Sequence, residues 1–270
     1  TIKIMQDGVA ENQTAAMIEP YLTPGCGCGD NSGIAFVDPE QLPGYVTELD
    51  RRGFQIHFHA LGDRAVRGAL DAIEAARTSN GDASTTLHLL AHIQIIHPAD
   101  VPRFRELNAS ANMQPLWASY DPQMVDLTVP YLGEERVGHQ YPFGSLHRSG
   151  SHLCGGSDWP VTSADPWLGI HVAVNRQVPR AHPDYNERVF LADEKLDLAV
   201  ALRAYTLGGI EGNGRAADLG RVAEGFLADL VLTDRDPFAG PAQDIHDTRA
   251  ERVYSDGRLV AGLAADRSAA

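Results

Sequence analysis

From Thr1 to about Ile210, short apolar segments alternate with stretches whose apolar residues recur at helical spacing. That pattern predicts parallel strands joined by helices. The predicted strands cover 1–5, 55–59, 87–92, 110–113 and 152–155. Between the first two, Asp38 is placed to cap a helix that Pro39 opens and Gly53 ends, with Leu42, Tyr45, Val46 and Leu49 on one face. A second helix starts at Asp63 and carries Val66, Leu70 and Ile73 in register up to the SNGD loop; a third opens at Pro98 with Val101, Phe104 and Leu107. Later helices are expected over 166–174 and 196–207. After about Gly212 the texture changes to short strands, LADLVLT and then AERVYSDGRLVAG, where Asp256-Gly257 between two alternating segments signals a hairpin. The chain therefore divides into a β/α unit over 1–211 and a small β segment over 212–270.

A βα series can build an open doubly wound sheet or part of a (β/α)8 barrel. The polar residues favour the barrel: His59, His92, Gln114 and Asp158 each stand where a strand ends, and barrel sites gather at C-terminal strand tips. No GxGxxG supports the alternative. Thr1 already lies in a strand-like run, TIKIM, so the chain is expected to begin inside a larger fold.

Composition narrows the function classes. A 270-residue chain with 43% hydrophobic residues can bury a large core. A formal net charge of -14 repels a phosphate backbone, which argues against nucleic acid and for small molecules as partners. No apolar run approaches the roughly 20 residues that span a bilayer, and no signal peptide is evident, so a cytoplasmic protein is expected. A homo-oligomer is compatible with all of this. Cys26 and Cys28 fall in the Gly-rich PGCGCGDNSG loop and Cys154 in an apolar strand; three cysteines make no disulfide framework.

The candidate chemistry sits in four pieces. QIHFHALGD puts His57 and His59 on one face of a strand, His59 nearer the tip, and LHLLAHIQ repeats the arrangement with His88 and His92. A histidine at a strand tip can be a hydrogen-bonded core residue, but two successive strands ending in His favour a metal. LCGGSDWP runs an apolar strand into glycines and Asp158, whose carboxylate can reach a metal, accept a proton or cap a turn. Lys3 is expected to be a buried strand lysine, which calls for either carbamylation into an anionic ligand or an ion pair such as one with Asp7. Gln114, Trp117 and Trp159 lie near strand tips and are candidates to line a substrate pocket; packing is an equal account of both tryptophans.

In order and spacing, KIMQDGV, HFHALGDRA, LAHIQ and GSDWPV resemble the YtcJ-like amidohydrolases, or amidohydrolase family 3, which include N-substituted formamide deformylases. LGRVAEGFLADLVLTDRDP is similar to that family's return into its small β-sandwich. The resemblance implies a partial (β/α)8 TIM barrel, roughly strands 4–8, with a C-terminal β-sandwich segment. It further implies one or two divalent metals, usually zinc. Lys3 matches the carbamylated lysine, His59 and His92 the ligands after the next two strands, and Asp158 the aspartate after the last. The implied activity is cleavage of a non-peptide amide or formamide C–N bond by a metal-activated hydroxide, with Asp158 as the proton acceptor. The family's first-strand HxH has no counterpart beyond His57-Phe58-His59, so an N-terminal half from the same protein or another chain is expected to complete the site. The competing expectation is a catalytically incomplete fragment or a non-catalytic binding module on the same scaffold.

Overall fold

The computed structural model describes residues 1–23 and 30–262. Five strands, β1 (Ile2–Met5), β2 (Ile56–Ala60), β3 (His88–His92), β4 (Ala109–Met113) and β5 (His152–Gly155), form one parallel sheet in sequence order. Three more, β6 (Leu230–Thr233), β7 (Ala250–Ser255) and β8 (Arg258–Gly262), form a separate antiparallel sheet. Asp256 and Gly257 turn between β7 and β8 with φ of 48° and 73°, the left-handed pair that the Asp-Gly signal implies.

Two helices pack on one face of the parallel sheet. α1 (Leu42–Arg51) and α2 (Asp63–Asn80) bring Val46, Val66, Leu70 and Ile73 against Ile56, Phe58 and Leu90, all in one buried apolar cluster with Ala109, Ala111, Met113 and Leu153. Strand residues alternate faces, so their odd or even neighbours point the other way. The parallel register lines up Lys3, His57, Leu89, Ser110 and His152 in one row, and Met5, His59, Ala91, Asn112 and Cys154 in the next. Apart from Met5 and Leu89 this face carries polar and small residues, and two of its side chains, Lys3 and Met5, are exposed.

Two helices depart from the periodic pattern, each because of a proline. α1 begins at Leu42 rather than Pro39: Asp38 instead shapes a preceding turn by accepting the Glu40 N–H at 2.9 Å, and Pro43, which lacks an N–H, takes the first helical turn. The third helix splits into a 3-10 turn, Pro98–Asp100, and a short α3 (Arg103–Glu106), because Pro102 interrupts the hydrogen-bond ladder between them. The helix Leu198–Arg203 continues as a widened π turn, Ala204–Gly208, where a Cβ on Gly208 would lie 2.2 Å from the Leu153 carbonyl. Cys26 and Cys28 lie outside the described residues. Cys154 is buried.

Candidate active site

Every strand tip is followed by an irregular loop, and these loops carry the chemistry. Asp7, just past β1, is fully buried and gathers three backbone donors: Ala16 N and Gly62 N each reach Oδ2 at 2.9 Å, and Leu61 N reaches Oδ1 at 3.1 Å. One carboxylate thus ties the loop after β1 to the loop after β2. Gly62 is required there by close approach, since a Cβ would meet the Ala16 carbonyl oxygen at 2.0 Å. Asp7 had no role in the sequence pattern beyond a turn or an ion pair with Lys3; Lys3 is exposed and makes no ion pair among the described residues. The expectation of a buried lysine is corrected, because among the described residues nothing packs over the Lys3 side chain.

His59 ends on that scaffold. Its Nδ1 stands 3.3 Å from Asp7 Oδ1 but out of hydrogen-bond alignment, which leaves a buried ring nitrogen without a hydrogen-bond partner. The His92 ring lies 4.7 Å away, centroid to centroid, edge toward face. His92 is oriented by Gln114: Oε1 accepts the His92 backbone N–H at 2.9 Å and lies 3.0 Å from Nδ1. An amide oxygen can only accept, so Nδ1 holds the proton and Nε2 keeps a free lone pair. Burial, aided by His59 and Lys3, lowers the His92 pKa to about 3, so the ring stays neutral. His57, one row below, is lowered to about 4 by burial and by Lys3, against the pull of Asp158.

Backbone strain marks the same places. His92, Ile93 and Asp158 have φ of 76°, 43° and 56°, left-handed values that side-chain-bearing residues avoid and a β-branched Ile most of all. Each such residue costs on the order of 1–3 kcal/mol and persists where surrounding contacts force it. Here Ile93 N donates to the Ala60 carbonyl at 2.8 Å and Val161 N to the Asp158 carbonyl at 2.9 Å. Gly155, in the glycine pair before Asp158, admits the Tyr205 ring, which a Cβ would meet at 2.6 Å.

Lys3, His59, His92 and Asp158 border one cavity of about 560 Å³. Trp117 lines it too and stacks on His92 at 5.4 Å. Gln114 lines an adjoining cavity of about 290 Å³ that shares Lys3, His92 and Asp158. Trp159 is 70% exposed and borders neither. His88 faces the helices, where Nδ1 accepts the Ile56 N–H and Nε2 lies 3.0 Å from Asp50 Oδ1. Glu11, Gln94, Asp121 and Tyr141 also line the large cavity; of these only Gln94, in LAHIQ, falls in a segment that the sequence pattern singled out.

Among the described residues, no three His, Cys, Asp or Glu side chains group closely enough to hold a metal ion. His59, with Nδ1 beside the Asp7 carboxylate, and His92, with Nδ1 held by Gln114, nevertheless fit two ligands of a divalent cation, since each keeps its Nε2 clear of any hydrogen bond among the described residues.

The parallel β/α sheet brings two histidines and an aspartate to the border of one cavity, an arrangement from which a hydrolase site can be built. Residues 1–261 match the amidohydrolase family, and the chain belongs to it. It is 29% identical over 262 residues to the YtcJ protein of Bacillus subtilis, covering 96% of this chain and 46% of that protein. It is 26% identical over 234 residues to the N-substituted formamide deformylase of Arthrobacter pascens, covering 86% and 41%. The structure of an uncharacterized metal-dependent hydrolase from Pyrococcus horikoshii matches with a TM-score of 0.73 at 28% identity, over 89% of this chain and 45% of that one. The chain spans about half the length of these relatives. Among the described residues no helix is long and apolar enough to cross a membrane.

Proposed function

We propose that this chain carries the proton-transfer aspartate and part of the metal site of a hydrolase that cleaves a non-peptide C–N bond of an amide or formamide. The observation that carries the reading is the cavity bordered by Lys3, His59, His92 and Asp158, with two imidazoles 4.7 Å apart whose Nδ1 atoms lie beside Asp7 and Gln114. His59 and His92 would hold a divalent ion, zinc by the chemistry of the donors, with Lys3 as a further ligand once carbamylated and Asp158 beside it. Such an ion polarises a carbonyl and brings the pKa of water to about 7. Asp158 takes a proton from water at its carboxylate and passes it to the departing amine nitrogen. Gln114 holds His92 in the tautomer that ligates, and Trp117 braces the ring and walls the cavity. The arrangement of the chain on a (β/α)8 plan, with a β-sandwich segment after residue 211, belongs to the same reading. Its name makes the formamide deformylase a guide to the bond type.

The remaining ligands come, on this reading, from outside these residues, in the same protein or a second chain. The described donors stop at two imidazoles, and this favours a second reading in which the chain alone is a non-catalytic module. Elemental analysis and a formamide-hydrolysis assay, on this chain and on the longest natural form containing it, separate the two. Zinc content and activity in the longer form, both lost in His92→Ala, are expected; a metal-free and inactive longer form refutes the hydrolase.

A further inference from the structure

A line of hydrogen bonds joins His92 to His57 by way of Gln114 and Asn112, and one backbone group fixes its direction. The His92 backbone N–H can only donate, so the atom of Gln114 that it meets at 2.9 Å is the oxygen. Gln114 then turns its amide nitrogen the other way, and Nε2 donates to Asn112 Oδ1 at 3.0 Å. Asn112 is left with its own amide nitrogen for His57, whose Nε2 lies 3.4 Å from Nδ2. A ring nitrogen that accepts needs a lone pair. His57 is therefore neutral and carries its proton on Nδ1. Gly156, two residues before Asp158, lies beside the middle of the line, where a Cβ would be 3.6 Å from Asn112 Oδ1 and 3.7 Å from Gln114 Nε2.

The two rings end with opposite chemistry. His92 directs its Nδ1–H to Gln114 and keeps the Nε2 lone pair free. His57 gives its lone pair to Asn112 and keeps an N–H. No described residue accepts from that Nδ1, and Lys3, its register partner on β1, brings only further donors. Nor is the atom one of the enclosed side-chain nitrogens left without a partner. His57 lines the cavity of about 290 Å³ together with Lys3, His92 and Asp158, so the N–H opens on the space where a ligand would lie.

We infer that Asn112 is a positioning residue of this site: it fixes His57 as an N–H donor to a carbonyl oxygen of the ligand and, through Gln114, holds His92 with its lone pair free. The inference rests on the hydrolase reading only in giving that lone pair a metal and in calling the ligand a substrate.

The test is proton–nitrogen correlation NMR of the full chain, isotopically labelled in its histidine rings and kept metal-free with EDTA near neutral pH. H57Q and H92Q assign the two rings. Both are expected to carry the proton on Nδ1. N112D keeps the acceptor that Gln114 needs and removes the donor that His57 needs, so His92 stays as it was while a proton appears on His57 Nε2. N112L removes both, and both rings are expected to lose the fixed Nδ1–H. Formamide, added as a carbonyl probe, should move the His57 Nδ1–H signal saturably in the parent and at least threefold less in N112D. A parent protein with His57 protonated on Nε2, or an N112D protein in which that nitrogen stays bare, overturns the inference. So does formamide that leaves the parent signal in place, or an N112L protein in which both rings are unchanged. If N112L does not fold, N112D decides alone, because a merely structural asparagine would not shift one ring's proton and spare the other's. The proton positions are read without metal, so failure of the hydrolase reading leaves them in place. Wrong tautomers for His57, in turn, leave zinc binding at His59 and His92 untouched.

Discussion

Replacing Gln114 by Leu isolates one link between fold and site. The substitution keeps the volume roughly constant and removes the Oε1 that accepts both the His92 backbone N–H, at 2.9 Å, and the His92 Nδ1–H, at 3.0 Å. It also removes the Nε2 donor to Asn112 Oδ1 at 3.0 Å. A buried N–H left unpaired costs about 1–3 kcal/mol and two lose their acceptor here, so the variant loses roughly 2–6 kcal/mol of stability. The effect on metal is separable. Without an acceptor at Nδ1 the ring is free to change tautomer and to rotate, and loss of such an outer partner weakens metal binding by roughly 10–100-fold. Zinc affinity is measured by competition with a chromophoric chelator, alongside urea denaturation. Gln114→Glu retains the acceptor and is expected to recover most of the affinity. A Gln114→Leu protein that folds and binds zinc within twofold of the parent refutes the role given to His92.

Two further outcomes follow from the same structure. Asp7→Ala strips the acceptor from Ala16 N, Leu61 N and Gly62 N, at about 1–3 kcal/mol per buried donor left unpaired, so urea denaturation should show a loss above about 3 kcal/mol; a loss below about 1 kcal/mol contradicts the scaffold role. Burial lowers the pKa of both His88 and His171 to about 4, with the Arg77 charge adding to the first and His246 to the second. The unfolded chain then binds protons that the folded one refuses between the ordinary histidine value near 6.5 and 4, so stability falls as pH drops through that window and levels off below it for these groups. Each contributes on the order of 3 kcal/mol, and His88→Gln should flatten its share of the pH dependence in denaturant titrations at pH 7, 6 and 5.

What could be read along the chain was periodic. Apolar alternation located all five parallel strands to within a residue or so, and Asp256-Gly257 located the terminal hairpin. The prolines misled where a second one followed: Pro43 and Pro102 lack the N–H that a continuous helix needs, and the helical spacing of Val101, Phe104 and Leu107 is preserved across a break it does not reveal. Lys3 was misjudged for a different reason, because strand pattern says which face a residue occupies but not whether anything covers that face.

For the site, residue type and strand position were enough to single out Lys3, His59, His92 and Asp158, because imidazole and carboxylate at strand ends are chemically conspicuous in the chain itself. The contacts that orient them were not: Gln114 stood out only as a strand-tip pocket candidate and Asp7 only as a turn residue or a partner for Lys3. Asp7 and Gln114 are ordinary polar residues until loop closure brings three backbone donors to one carboxylate and a histidine ring to one amide oxygen. Glu11, Gln94 and Asp121 come from separate loops with no shared spacing, and only the folded chain brings them to the lining of one cavity. Local sequence sets which atoms can donate, accept or carry charge; only the packed chain decides which are brought within 3 Å of one another and which are left without a partner.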